Sequence, residues 1–162
     1  MAFSVTRLID PIVAFFRNPI IFSSLISWCL SQLIKGFIAL RSIRIKGFKE
    51  VLATIFWRTG GMPSSHAAVV TSMTAAVAFN DGVHSNLFAV SLLIALVVMR
   101  DAMGVRRAVG LQARAFNVLG KQISEKCGIE FKAVKEIQGH APLEVIAGAL
   151  LGIFISAVCA IL

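Results

Sequence analysis

The chain has 162 residues, 57% of them hydrophobic and only 15% charged, with a mean hydropathy of +0.85 and a net charge of +8. One domain's worth of residues this apolar excludes an ordinary soluble domain and points to an integral membrane protein. The basic residues lie between hydrophobic segments rather than along one stripe, which argues against nucleic acid and for a membrane surface. Cys29, Cys127 and Cys159 form no CxxC pair, so neither a disulfide framework nor a zinc site is read from them.

Residues 1–17 carry a short apolar patch, Ile12, Val13, Phe15 and Phe16, between Pro11 and Arg17. It is too short to span and reads as a helix half-buried in the interface. No apolar core ending in a small-residue cleavage site precedes it, so no removable signal peptide is expected. Asn18-Pro19 marks a break. Residues 20–40 then supply about the twenty positions a helix needs to cross a bilayer. Within them Lys35 either snorkels to the headgroups or faces a polar cavity. Residues 41–58 are a basic loop, with Arg41, Arg44, Lys46, Lys49 and Arg58.

Next comes Gly60-Gly-Met-Pro-Ser-Ser-His66, followed by an apolar run to Phe79. Glycines, then a proline, then hydroxyls describe a loop entering a helix, with Pro63 suited to the first helical position. The exposed N–H groups at such an end favour an anion such as phosphate. A helix start with serine caps and one interfacial histidine is the plainer reading of the motif alone. Asn80-Asp81-Gly82 signals a turn, and residues 87–105 form a third span ending in Arg100 and Asp101. From Arg106 to Lys126 the pattern is amphipathic, with Val109, Phe116, Leu119 and Ile123 on one face, as for a helix lying in the interface. A polar stretch leads to Gly139, and residues 142–162 make the last span, where Gly148 and Gly152 form a GxxxG step for close helix contact.

Spans near 20–40, 63–79, 87–105 and 142–162 put the two basic segments, 41–58 and 106–141, on one side, which the positive-inside rule assigns to the cytoplasm. The same topology brings Lys35, Ser64, Ser65, His66, Arg100, Asp101, Arg106, Arg107, His140 and Glu144 to one membrane face. Snorkelling explains Lys35 and the arginines but not the carboxylates and histidines, which are costly near a membrane unless partnered. Cations beside a helix N-terminus hold a phosphate and stabilise the charge that develops in its transfer. One histidine can attack phosphorus while another protonates the leaving oxygen. His140 and Glu144 stand one helical turn apart, so the carboxylate can fix the imidazole tautomer, and Pro142 between them suits a first turn. His84, in the short turn at the opposite face, reads as a surface residue.

Three motifs in order, Gly60 to His66, Arg100-Asp-Ala-Met-Gly-Val-Arg-Arg107 and Gly139-His-Ala-Pro-Leu-Glu144, resemble the divergent branch of the type 2 phosphatidic acid phosphatase (PAP2) family, which is related to the vanadium-dependent haloperoxidases. The resemblance covers roughly residues 18–162. The family's Pro-Ser-Gly-His element corresponds to Pro63-Ser64-Ser65-His66, with serine in the glycine position. Its His-x-x-x-Asp element corresponds to His140 and Glu144, with Glu for Asp. The family's first motif, a lysine followed seven residues later by Arg-Pro, is absent, as is the Ser-Arg pair before the nucleophile, and four spans fall short of the usual six.

The resemblance implies His140 as nucleophile, Glu144 as its orienter and His66 as general acid. Lys35, Ser64, Ser65, Arg106 and Arg107 would bind phosphate, while Arg100 and Asp101 belong either to the site or to the scaffold. The expectation is therefore a single all-α membrane bundle of about four transmembrane helices plus interfacial amphipathic helices. It would hydrolyse a lipid phosphate or a polyprenyl diphosphate without metal or cofactor, with vanadate as a phosphate-mimicking inhibitor. Its partners would be membrane lipids and, through the GxxxG step, a second copy in a homodimer. Localisation would be the cell (inner) membrane, with the site near the cytoplasmic face. The rival expectations are a non-catalytic lipid-phosphate binder or transporter, and a structural protein whose polar groups are interhelical ties.

Overall fold

The computed structural model describes residues 6–41, 61–136 and 139–162. The basic segment after the first span therefore lies, except for Arg41, outside the described residues, as does Gly60. Every regular element among the described residues is helical: α1 (Thr6–Arg17), α2 (Pro19–Arg41), α3 (Ser65–Asp81), α4 (Asn86–Met103), α5 (Val105–Cys127) and α6 (Pro142–Ile161).

Among the described residues three stretches are long and apolar enough to cross a membrane: Pro19–Ile38, Asn86–Cys127 (which holds both α4 and α5) and Pro142–Ile161. Helix α3 has 17 residues. At 1.5 Å per residue it is about 25 Å long, slightly short of the roughly 30 Å hydrocarbon core. It is instead the inner helix of the bundle. It packs most extensively on α6, then on α2 and α4, and no residue from Ala67 to Ala78 is exposed. That position explains its composition. A helix wrapped by neighbours needs small side chains rather than a leucine-rich lipid face, and α3 buries Ser65, Ala67, Ala68, Thr71, Ser72, Thr74 and Ala76.

The neighbours meet α3 by small residues in turn. On α2, Ser23, Ser27, Ser31 and Lys35 recur every four positions and all four are buried, forming one stripe along the helix. On α6, Gly148 and Gly152 sit against the backbone of α3: a Cβ on Gly148 would collide with the Ser64 carbonyl oxygen, and one on Gly152 with Ala68 O and Thr71 Oγ1. The GxxxG step is thus used inside the chain, between parallel α3 and α6, and is not left free for a second copy. Hydroxyls tie the seams: Thr71 Oγ1 lies 2.7 Å from Ala67 O and 3.1 Å from Ala149 O, and Thr74 Oγ1 lies 2.8 Å from Val70 O and 3.2 Å from Ser91 O. Each single proton is shared between the helix's own carbonyl and the neighbour's.

Connections follow local chemistry. Asn18 Oδ1 accepts the Ile20 N–H at 2.9 Å and so starts α2 where α1 stops. Gly82, at φ +82°, ends α3, and Ser85 caps α4 by accepting the Phe88 N–H at 3.1 Å. Between α4 and α5 stands Gly104, whose N–H still reaches Arg100 O at 2.8 Å. Helix α5 buries no residue and packs on α4 alone among the described helices. Its apolar residues Val109, Phe116, Leu119 and Ile123 are all exposed, as the interfacial reading requires. Val13, Phe15 and Phe16 of α1 are exposed in the same way.

The polar stretch after α5 is a return strap. Gly128, left-handed at φ +66°, ends the helix with its N–H on Ser124 O at 2.9 Å. The chain then runs back along α5. Ser124 Oγ donates to Ile129 O at 2.6 Å, and the Phe116 and Phe131 rings stand 5.7 Å apart. Asn117 takes the Val134 N–H at 2.8 Å and gives its own N–H to Val134 O at 2.9 Å. Gly139 lies against the backbone of Arg107 in the first turn of α5. The strap therefore delivers residue 140 back to the end of the bundle where α5 began.

The α3–α6 seam generates a test. Gly152→Ala should destabilise the protein by roughly 1–3 kcal/mol, the usual cost of forcing a methyl into a packed contact. Leu150→Ala, on an exposed face of the same helix, should change stability by about 0.5 kcal/mol or less. Thermal unfolding in detergent reads both, and equal shifts would refute the close seam.

Candidate functional site

One end of the bundle collects the N-termini of α3 and α6, the C-terminal part of α2 and the end of α4. Ser64 is the N-cap of α3, its hydroxyl accepting from the Ala67 N–H at 3.4 Å. Pro63 lies two residues ahead of the helix rather than at its first position, because Ser64 takes the cap; Gly61 before it has φ +90°. The Ser64 N–H donates to Glu144 O at 2.8 Å, which fastens the start of α3 to the first turn of α6. Fully buried and used as a cap, Ser64 belongs to that joint. Ser65 is the hydroxyl that meets a cation: Lys35 Nζ donates to Ser65 Oγ at 3.1 Å. Of the two readings of Lys35, snorkelling and a polar interior, the interior one holds, since the residue is only 7% exposed. Lys35 also lies near enough to Glu144 for the two charges to act on each other.

His140 is 4% exposed and sits where the strap meets α6. Its backbone N–H donates to Ala102 O of α4 at 3.1 Å. Gly139 just before it is pressed against the backbone of Arg107, where a Cβ would collide with Arg107 N and Cα. Pro142 takes the first helical position of α6, as its missing N–H suggests. Glu144, two residues on, turns back: one oxygen, Oε2, lies 3.0 Å from His140 Nδ1 and 3.1 Å from the Ala141 N–H. A carboxylate accepting at Nδ1 makes that nitrogen the protonated one and leaves Nε2 as a lone pair.

His66, in the first turn of α3 and exposed, faces His140 with ring centroids 6.3 Å apart and planes at 62°. Lys35, Arg106 and Asp101 are all close enough for their charges to reach His66. Asp101 pairs with Arg106, Nε to Oδ2 at 2.8 Å across the Gly104 break, and both are partly exposed. The structure therefore gathers Lys35, Ser64, Ser65, His66, Asp101, Arg106, His140 and Glu144 at one end. Arg107 contributes its backbone to the Gly139 contact, and among the described residues no hydrogen bond or ion pair brings its side chain, or that of Arg100, into the cluster. His84 is exposed at the α3–α4 turn. Among the described residues no group of three His, Cys, Asp or Glu side chains is placed to hold a metal ion.

Two contributors escaped the sequence reading. The Ala102 carbonyl and Gly139 seat His140 through backbone contacts that no side-chain pattern announces. A glycine immediately before a histidine was the only available signal.

The model of the divergent PAP2 family matches residues 16–155. The uncharacterized membrane protein YuiD of Bacillus subtilis (strain 168) is 43% identical over 113 residues, covering 63% of this chain and 72% of that protein. No solved structure matches the chain.

The Glu144 contact is open to direct measurement. In protein labelled with 15N-imidazole, above neutral pH, His140 should show a protonated Nδ1 and an unprotonated Nε2. In Glu144→Ala that preference should relax toward a tautomer mixture. A wild-type His140 protonated at Nε2 instead would contradict the assigned geometry.

Proposed function

This chain belongs to the divergent PAP2 family, and on that premise we propose that it is a membrane-embedded phosphatase that hydrolyses the phosphate monoester or diphosphate of a lipid through a phosphohistidine. It is a PAP2-like membrane protein. The observation that carries it is the His140–Glu144 contact at 3.0 Å, with a second histidine 6.3 Å away. A nucleophile waits about 3 Å from the atom it attacks, and an acid must lie within about 3 Å of the oxygen it protonates. Two imidazoles separated by the size of a phosphoryl group meet both needs.

In the proposed reaction Nε2 of His140 attacks the terminal phosphorus as its bond to the ester or bridging oxygen breaks. His66 gives its proton to that oxygen, releasing the lipid alcohol from a monoester or the lipid monophosphate from a diphosphate. A water then attacks the phosphohistidine, His66 takes the water's proton, and the P–N bond breaks to free inorganic phosphate. Lys35 with Ser65, Arg106, and the N–H groups of the α3 start would carry the negative charge of the transferred group. Glu144 would steady the His140 imidazolium, as the carboxylate does in a Ser-His-Asp triad. By the positive-inside rule the sequence's two basic segments favour a site near the cytoplasmic face of the cell membrane. The proton His66 gives up in the first step is restored by the water of the second, and vanadate should compete at the same place.

A second reading has one observation in its favour. His140 is almost fully buried, so a cradle that binds a lipid phosphate without turning it over would look the same. The two separate by assay. Detergent-purified protein should release phosphate from one or more of phosphatidic acid, phosphatidylglycerophosphate and a polyprenyl diphosphate, and vanadate should block it. His140→Ala should lower kcat by at least about a thousandfold, as loss of a nucleophile does, and His66→Ala by about a hundred- to ten-thousandfold. Release that survives both substitutions would exclude the mechanism. Vanadate binding without release would leave the binder.

A further inference from the structure

The neighbours of α3 do not close around it evenly. The α6 side is fixed by the contacts of Gly148 with Ser64 and of Gly152 with Ala68, Thr71 and Ser72. The α4 side is fixed by Thr74 against Ser91 and by the cluster of Ala67, Ala102 and Val145. The α2 side is fixed by Ser65 on Lys35. At 100° per residue these contacts leave one face of α3 unassigned, between α2 and α4, and along it stand His66, Val69, Val70 and Met73. Among the described residues no Cα of α2 comes within 8 Å of one in α4. His66 is exposed there, and Val69, Val70 and Met73 are each partly exposed. One turn beyond Met73, Val77 is only 1% exposed, so the opening ends about 16 Å along the axis from His66.

We propose that this apolar cleft between α2 and α4, headed by His66, holds the hydrocarbon chain of the lipid phosphate whose headgroup lies between His66 and His140. The inference rests on the phosphatase reading and extends it from headgroup to tail. Displacement at phosphorus sets the attacking nitrogen and the leaving oxygen on opposite sides. His140 approaches from the α4–α6 side, where its N–H meets Ala102 O and its imidazole meets Glu144. The leaving oxygen, with the rest of the lipid attached, then lies toward His66. The path onward from His66 is the cleft, lined by Val69, Val70 and Met73, and no described helix closes it on the bilayer side. The chain thus enters from the lipid phase without crossing the polar end of the bundle. Substrates would be discriminated by the bulk and length of apolar chain that fits between α2 and α4.

The test substitutes Met73→Trp, which fills the cleft at mid-depth, with Met73→Leu as a volume-matched control; gel filtration and thermal unfolding in detergent check that each is folded. Kinetics are taken on long-chain phosphatidic acid, on farnesyl diphosphate and on p-nitrophenyl phosphate, which has no apolar chain. With Met73→Trp, kcat/KM for the preferred lipid should fall roughly tenfold relative to kcat/KM for p-nitrophenyl phosphate, the size expected when apolar pocket contacts are lost. Met73→Leu should keep the wild-type ratio. An unchanged ratio in Met73→Trp overturns the cleft while leaving the phosphatase in place.

If no substrate is turned over, the phosphatase reading fails and the cleft is judged by binding. Compared with the wild-type protein, which already holds Trp28 and Trp57, the added indole at position 73 should bring extra quenching by phosphatidic acid carrying brominated chains, and vanadate should relieve that extra quenching. Equal quenching by brominated diacylglycerol, which has no phosphate, or no quenching at all, overturns the proposal.

Discussion

Everything at the polar end depends on α3 and α6 lying parallel and nearly in backbone contact. Gly148 and Gly152 remove the side chains that would hold the helices apart, and the Ser64 N–H to Glu144 O bond fixes their register at the first turn. Parallel neighbours present the same ends to the same membrane face. Here those ends are two helix N-termini, each equivalent to about half a positive charge. Side by side and partly out of water, they repel one another and attract an anion. Glu144 answers part of that field from within the chain, since it takes the Ala141 N–H and sits in the first turn of α6. The remainder, with Lys35 buried beside Ser65, is an electrostatic demand that a bound phosphate would satisfy.

Parallel packing has a topological consequence. Two parallel helices cannot be joined by a tight turn, so the chain must leave the end of α3, return along α4 and begin α6 where α3 began. Helix α4 makes most of that return. The excursion of α5 and its strap then fills the interval between α4 and α6, and the strap retraces α5 so that Gly139 arrives at Arg107 and His140 at Ala102. An amphipathic helix that buries none of its residues looks expendable in a small protein, but its doubled-back strap is what sets the position of His140. The Asn117–Val134 pair and the Phe131 ring against Phe116 hold the register of that return.

How much of this the sequence disclosed depended on the kind of interaction. The spans followed from apolar length, and the common face of Lys35, His66, Asp101, His140 and Glu144 followed from alternating their direction. The His140–Glu144 contact was legible because one helical turn is a fixed distance. What was hidden involved backbone atoms and pairings across sequence. GxxxG announces a close neighbour but does not say which, and here the neighbour is α3. Pro63 suited a first helical position, yet Ser64 takes the cap and Pro63 lies two residues ahead of the helix. Asp101 had three arginines within reach, and only the break at Gly104 selects Arg106. The inner place of α3 was also unreadable from its modest length; its serines, threonines and alanines were the trace of it.

Glutamate at position 144, where the wider family carries aspartate, fits the local geometry. Glu144 is the third residue of α6, and from there its longer side chain reaches back over the turn to the Ala141 N–H and to His140 Nδ1 with a single oxygen, at 3.1 and 3.0 Å. It caps the helix and orients the imidazole at once. The cations are likewise re-sourced. With the Ser-Arg pair absent from the strap, the arginine among the described residues whose charge reaches His66 comes from the first turn of α5, held through its Nε by Asp101, which leaves both terminal nitrogens of the guanidinium for another acceptor. Its partner on the other side is Lys35, buried and bound to Ser65. One cation is fixed in the interior and the other is tethered at the mouth. Under the proposed function, a phosphate entering between them would first meet the exposed charge and then the buried one, so the charge that reading needs would come from elements other than those of the family pattern.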